Sequence, residues 1–446
     1  MEANDRELLN EDEKRELRRQ RRVRNLILAY VGLAAAILLL VLGIFFGIRT
    51  LRRILNEKKQ VQQMEEQLSL MEQESVMNQE LTQEEIPVTD QQPSEAQVLE
   101  EVIASRISEM TLEEKVAGLF IVTPESITGV TTAIQAGEGT REALEKYPVG
   151  GIIYFAENIQ SEEQIKEMLD KTVSYSRFPL FLAVDEEGGS VSRVADALKL
   201  ENVGDMADIG ATGDVNQAYT AMQTVGNYLA GYGFNLDFAP VADVLTNTDN
   251  KALEGRSFGS EGGLVSDMAA AAAKGLKDSG ITACMKHFPG TGAAGEDTHN
   301  GLVLVEKSLE ELQQTDLLPF IAGIEAGVPM IMVGHISLPE ITGDNTPASM
   351  SSVVISDLLR GQLAFNGVVI TDAMDMKAIT EYYGADEAAV MAFRAGADMV
   401  LMPEDFELAL EGVVTAVQDG TISEERINDS LTRVYRIKFA DSVGNS

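Results

Sequence analysis

The 446-residue chain holds only three histidines, His287, His299 and His335. Two of them close apolar runs: Ile281 to His287 ends in Lys286-His287, and Met330 to His335 ends in His335. The third follows the glycine-rich stretch Pro289-Gly290-Thr291-Gly292-Ala293-Ala294-Gly295 in Asp297-Thr298-His299. In an extended loop, residues two apart point to the same side. Asp297 is then placed to accept a hydrogen bond from one ring nitrogen of His299, leaving the other to exchange a proton with a substrate. The same spacing also suits an Asp that merely turns its loop through backbone bonds. Acids end other apolar runs: Asp185 closes Leu180 to Asp185, Asp237 lies in Asn235 to Pro240, and Asp372 closes Gly367 to Asp372. One such Asp is weak evidence, because turns and helix starts use Asp constantly. Several runs that each deliver an ionisable group to the same end are harder to explain as capping. The lone Cys284 sits inside an apolar run and reads as a small buried hydrophobe.

The elements that must position these groups follow from the pattern. Eight short apolar runs are candidate strands: Leu119 to Thr123, Gly151 to Phe155, Leu180 to Asp185, Asn235 to Pro240, Ile281 to His287, Met330 to His335, Gly367 to Asp372 and Asp398 to Met402. Amphipathic stretches lie between them, among them Ser161 to Ser176, Asn216 to Tyr232, Leu264 to Ser279, Leu309 to Ala326, Ser351 to Gln362 and Asp386 to Ala395. Continuous apolar strands alternating with helices predict a parallel sheet covered on both faces. Eight β/α units predict a single α/β domain, a (β/α)8 TIM-type barrel, whose C-terminal rim gathers residues from several strands. A doubly wound open sheet is the alternative. No G-x-G-x-x-G or P-loop pattern opens a helix here, which removes support from its nucleotide-binding versions.

Several motifs resemble glycoside hydrolase family 3, in particular its bacterial β-N-acetylglucosaminidase branch. They are Val184-Asp185-Glu186-Glu187-Gly188-Gly189, Asn235 to Val244, Gly255-Arg256-Ser257-Phe258-Gly259, Lys286-His287-Phe288-Pro289-Gly290 with Asp297-Thr298-His299, and Val369 to Met376. They occur in family order across nearly all of the expected folded region. The resemblance implies retaining exo-hydrolysis of terminal β-linked N-acetylglucosamine, with Asp372 as nucleophile and His299, oriented by Asp297, as acid/base. It places the sugar-holding positions on Asp185, Arg193, Arg256, Lys286 and His287, and it calls for no metal or cofactor. A carboxylate beneath the anomeric carbon suits an oxocarbenium-like transition state. A histidine acid departs from the usual two-carboxylate scheme, and it leaves the site open to phosphate as acceptor. Two positions differ from the family pattern: Thr291 stands where Gly-His-Gly is common, and Ser190 where Gly-Gly-Arg is common. Asp375, three after the nucleophile, reads as a helix-start residue. Three rival functions stay open: a phosphorylase on the same residues, a membrane-displayed glycan-binding protein without turnover, and a metal-dependent hydrolase. No H-x-H or H-E-x-x-H supports the last.

The remaining features concern where the domain sits. A net charge of -36 disfavours nucleic acid as a partner. One cysteine excludes an internal disulfide framework. Residues 26–48 form an uncharged apolar run long enough to cross a bilayer as a single helix. Seven basic residues from Lys14 to Arg24 precede it, and five from Arg49 to Lys59 follow it. The bias places residues 1–25 in the cytoplasm and the catalytic region outside a single-pass cell-membrane anchor. Residues 49–97 are polar and Glu/Gln-rich, a helical stalk in which Ile54, Val61 and Leu68 repeat every seven. That spacing allows weak coiled-coil self-association. Residues 98–446 are the expected catalytic region. An external anchor points to cell-wall peptidoglycan fragments as the glycan.

Overall fold

The computed structural model describes residues 94–295 and 301–440. The expected membrane span at 26–48, its basic flank and almost all of the stalk lie outside the described residues, as do Asp297 and His299. Among the described residues no helix is long and apolar enough to cross a membrane. Ser94 caps the first described helix, Glu95–Ser108, by accepting from the Gln97 amide while the Gln97 side chain answers the Ser94 amide.

Eight strands close into a parallel barrel: β1 (Phe120–Val122), β2 (Gly151–Ile153), β3 (Phe181–Val184), β4 (Leu236–Asp237), β5 (Thr282–Phe288), β6 (Met330–Val333), β7 (Val368–Ala373) and β8 (Met399–Leu401). Each pairs with its neighbour in chain order, and β1 pairs with β8, Phe120 opposite Val400, to close the ring. All eight expected strands are present; β5 and β7 are shifted one residue along their runs, and the others are shorter than theirs. The runs are apolar without alternation because helices bury the outer face and packed side chains fill the inner one. Ile121, Ile152, Leu182, Ala183, Met330, Ile331, Val369 and Val400 are all fully or almost fully buried.

The outer helices carry their apolar stripes at helical spacing. In Glu162–Tyr175, capped by Ser161, the buried residues are Ile165, Met168, Leu169 and Thr172. The helices Val215–Tyr232 and Gly262–Asp278 lie close together because Gly275 lacks a side chain. A Cβ there would stand 2.4 Å from the Tyr219 carbonyl oxygen.

Two expected helices differ in detail. Leu309 to Ala326 is not continuous but breaks into Leu309–Gln314 and Leu318–Glu325. Pro319 cannot extend a helix from its N-terminal side but fits the first turn of a new one. In the break, Asp316 turns inward to accept a 2.6 Å bond from Lys307. The stretch expected at Ser351 to Gln362 winds as a π-helix over Val353–Gln362. The final helix, Glu424–Lys438, is held to the barrel through the fully buried Asp398 at the start of β8. That carboxylate receives Arg360, Arg433, Ser430 and the Val369 amide.

Candidate active site

Local chemistry explains how the rim is built. After β3 the chain makes a tight antiparallel hairpin, Glu186–Gly188 against Val191–Ser192. Glu186 points back and accepts from the amides of Val194 and Ala195, at 2.7 and 2.9 Å, and from Tyr228 Oη at 2.6 Å. A carboxylate on the exposed amides of the helix Arg193–Leu198 fixes where that helix starts, and so where Arg193 stands. The loop after β5 is anchored in the same manner. Asn250 donates to the Thr291 carbonyl at 2.9 Å, and the Asn247 amide to that of Gly292 at 3.0 Å. Gly292 is needed there, since a Cβ would meet the Val244 carbonyl oxygen at 1.8 Å. Beyond the undescribed residues 296–300 the chain returns through Val303–Leu304, which pairs in parallel with Ile336–Ser337 after β6.

These loops surround a pocket of about 340 Å³ at the C-terminal mouth of the barrel. That lies within the ordinary range of small-ligand sites. Asp185, Arg193, Arg256, Lys286, His287 and Asp372 all line it, with Glu187, Asn250, Thr291 and Asp375. Apolar surface comes from Ile153, Phe155, Met332 and Leu401.

The charged groups are organised into a network. The Lys286 ammonium bridges Asp185 and Glu187, 2.6 Å from each. Glu187 also takes Arg256 by two parallel bonds of 2.7 Å. Burial opposes the Glu187 charge, but Lys286 and Arg256 outweigh it and hold the carboxyl well below its usual range. Burial likewise opposes the Lys286 charge, and Asp185 and Glu187 push its proton affinity up instead. Arg193 is the contrast. Among the described residues it makes no ion pair, and its Nε is buried without a partner.

Asp372 is half-buried at the end of β7, and one of its oxygens accepts the Ala373 amide at 2.8 Å. Burial would raise its carboxyl, but His287, His335, the Ala373 amide and Lys286 together hold it below the ordinary value. His335 is fully buried and does not line the pocket. Its Nε2 lies 2.9 Å from the Ala373 carbonyl, which can only accept, so Nε2 carries the hydrogen, and Nδ1 lies 2.8 Å from Ser349 Oγ. The imidazole thereby secures the backbone next to Asp372.

Two groups behave differently from the strand-end pattern. Asp237 sits beneath the pocket and accepts the Glu186 amide at 2.9 Å, its other oxygen buried without a partner. Burial pushes its carboxyl well above the usual value. Asp375 lies exposed in the turn before the helix Lys377–Thr380, on the pocket rim. Glu187 and Asp243 carry much of the geometry, yet the sequence pattern gave neither a role. The available signal was their place inside the stretches Val184 to Gly189 and Asn235 to Val244, which carry the family likeness. Among the described residues no three of His, Cys, Asp and Glu converge as a metal site.

An ionised carboxylate facing a small, donor-rich pocket on the catalytic rim of a barrel is suited to a developing oxocarbenium ion. That is the chemistry that barrel glycoside hydrolases use. The family description "Glycosyl hydrolase family 3 N terminal domain" matches residues 111–437, and the chain belongs to that family. It is 33% identical over 326 residues to Beta-hexosaminidase A of Pseudoalteromonas piscicida, covering 67% of this chain and 54% of that protein. It is 32% identical over 338 residues to Beta-hexosaminidase LpqI of Mycobacterium tuberculosis, covering 73% and 82%. Among solved structures it superposes on a glycoside hydrolase family 3 β-N-acetylglucosaminidase from Paenibacillus sp. str. FPU-7 with a TM-score of 0.69 and 36% identity. That match covers 76% of this chain and 64% of the other. The chain thus spans little more than half the length of the first of these relatives and under two thirds of the Paenibacillus enzyme.

Proposed function

We propose that this barrel is a retaining exo-β-N-acetylglucosaminidase acting on terminal β-linked N-acetylglucosamine. Asp372 attacks the anomeric carbon to form a glycosyl-enzyme. His299, oriented by Asp297, first protonates the leaving oxygen and then activates water. Asp185, Arg256, Lys286 and His287 hold the sugar hydroxyls, with Arg193 beside them. The observation that carries the reading is the Asp372 carboxylate, held below its ordinary pKa in the same pocket as the Asp185–Lys286–Glu187–Arg256 network. A nucleophile must be ionised at working pH, and a sugar needs a dense, fixed array of donors and acceptors. The names of the relatives support the choice of N-acetylhexosaminide over other sugars.

The glycan we propose is a cell-wall peptidoglycan fragment, met outside the membrane by an enzyme anchored through residues 26–48. The test is product analysis on muropeptides and chito-oligosaccharides, with and without phosphate. Free N-acetylglucosamine released in both buffers supports hydrolysis, and Asp372→Ala should abolish it. N-acetylglucosamine 1-phosphate formed only with phosphate would move the protein to the phosphorylases. Binding without turnover by the intact chain would make it a glycan receptor.

A further inference from the structure

The reading above gives Asp243 no role, yet this residue touches two parts of the site at once. It lies in the loop after β4 and is fully buried. Its Oδ2 receives His287 Nδ1 at 2.7 Å and the His287 amide at 3.2 Å. Its Oδ1 receives the Thr291 amide at 2.6 Å and the Thr291 hydroxyl at 3.0 Å. Four donors converge on one carboxylate. Burial opposes its charge, but His287 and Thr291 more than compensate and keep it ionised. The other charged groups that bear on it are Arg256 and Asp316.

An ionised carboxylate only accepts hydrogen bonds. His287 Nδ1 must therefore carry a hydrogen, and Nε2 is the ring nitrogen left for the pocket. Among the described residues Nε2 has no partner. His287 lines the pocket with Asp372 and, of all groups, most favours the charged form of that carboxylate. Thr291, on the other Asp243 oxygen, opens the glycine-rich loop.

We propose that Asp243 is a positioning residue. It fixes the tautomer and plane of His287 so that Nε2 faces the substrate beside Asp372, and with its second oxygen it sets the base of the glycine-rich loop in register with that ring. The hydroxyl of Thr291, one of the two departures from the family pattern, supplies one of the four donors. The inference rests on the proposed site, but its first readout needs no substrate.

Replacing Asp243 by Asn separates positioning from simple filling of space. An amide offers one acceptor oxygen. The Thr291 amide, at 2.6 Å, claims that oxygen more closely than the His287 amide at 3.2 Å, and the Thr291 hydroxyl can donate to it as well, so the NH2 group turns to His287 Nδ1. The ring must then accept at Nδ1 and carry its hydrogen on Nε2.

The experiment is nitrogen-15 NMR of the full chain labelled at histidine, with the three histidines assigned by single replacements. Wild type should show neutral His287 as the Nδ1–H tautomer, and Asp243→Asn should show Nε2–H. Turnover of an aryl N-acetylglucosaminide by Asp243→Asn should fall on the order of 10–10²-fold, the scale of one buried sugar-holding hydrogen bond lost. Formate should partly restore activity to Asp243→Ala by re-supplying a carboxylate. An Nε2–H tautomer in wild type, an unchanged tautomer in Asp243→Asn, or activity within threefold of wild type would each overturn the proposal. Should neither variant fold, the wild-type spectrum decides alone. A wild type with no turnover of any N-acetylglucosaminide would sink the functional reading and leave the tautomer result standing.

Discussion

Glu187 grips Arg256 with both carboxylate oxygens, each bond 2.7 Å, while only 1% of the Glu187 side chain is exposed. The planar fork of an arginine on a carboxylate fixes direction as well as distance. Because Lys286 shares the same oxygen that Arg256 Nη2 uses, three strands' worth of loop are tied at one point. The rigidity of the sugar-holding wall is a property of this buried triad rather than of any one strand end.

Removing that charge should therefore cost both fold and function. Glu187→Gln leaves Arg256 without its carboxylate and Lys286 with Asp185 alone, a loss of about 3–5 kcal/mol. The sign with pH follows from the depressed carboxyl of Glu187. Its stabilisation is fully present above the ordinary value of 4.5 and fades as pH falls toward the lower folded value. Urea unfolding should show the full deficit of the variant at pH 7, with the gap to wild type narrowing below about pH 4. An equal gap at both pH values would show that the ion pairs are not its source.

Cys284 is fully buried in β5, opposite Met330 of β6. Burial pushes its thiol well above the usual range, so little reactive thiolate forms at neutral pH. Cys284→Ala should keep most activity and lose about 1 kcal/mol of stability from the small cavity. Thiol reagents should react slowly with the native protein and fast once it is unfolded. Rapid inactivation of wild type that the Ala variant escapes would put the thiol in contact with the site.

Much of the barrel could be read from the sequence because a strand buried on both faces announces itself as an unbroken apolar run. Ile121 to Val122 and Val368 to Ile370 are plain examples. Helix breaks are less visible. The division at Thr315 to Leu317 depends on where Asp316 finds Lys307, a tertiary contact that no local pattern records. The same holds for the site. Asp185, Lys286, His287 and Asp372 stand at strand ends, where the period of the chain points to them. Arg193 opens a short helix and Arg256 sits on a loop, and both are identified only through family likeness. Asp243 and Glu187 act through partners 44 and 69 residues away, so their roles appear only once the fold brings those partners close.

The expected anchor gives a prediction about the segment that precedes the barrel. The uncharged run 26–48, with more basic residues before it than after, should hold the chain in the cell membrane with the barrel outside. Protease added to intact protoplasts should release an active fragment that begins between Arg49 and Val98. A barrel that stays protected until the membrane is dissolved would reverse the proposed topology.

The two catalytic roles can be separated by the leaving group. Asp372→Ala should be inactive on every substrate, because the other pocket carboxylates are not placed to replace it: Asp185 and Glu187 are tied to Lys286, and Asp375 lies exposed on the rim. His299→Ala should discriminate. Protonation of the leaving oxygen matters for a sugar alcohol, and general acid catalysis contributes about 10²–10⁴-fold. A nitrophenolate leaves with little protonation. The His299 variant should therefore form its glycosyl-enzyme readily from an aryl substrate yet act slowly on a disaccharide. Without a base to activate water, deglycosylation becomes limiting, and a pre-steady-state burst of nitrophenol should precede slow turnover. Asp297→Ala should show a milder form of the same behaviour, since it only orients and tunes the imidazole. Azide, a nucleophile that needs no base, should then speed the slow phase of the His299 variant and leave wild type almost unchanged. If His299→Ala slowed glycosylation by the same factor for aryl and sugar leaving groups, the proton would come from elsewhere, and the pairing of Asp297 with His299 would lose its proposed role.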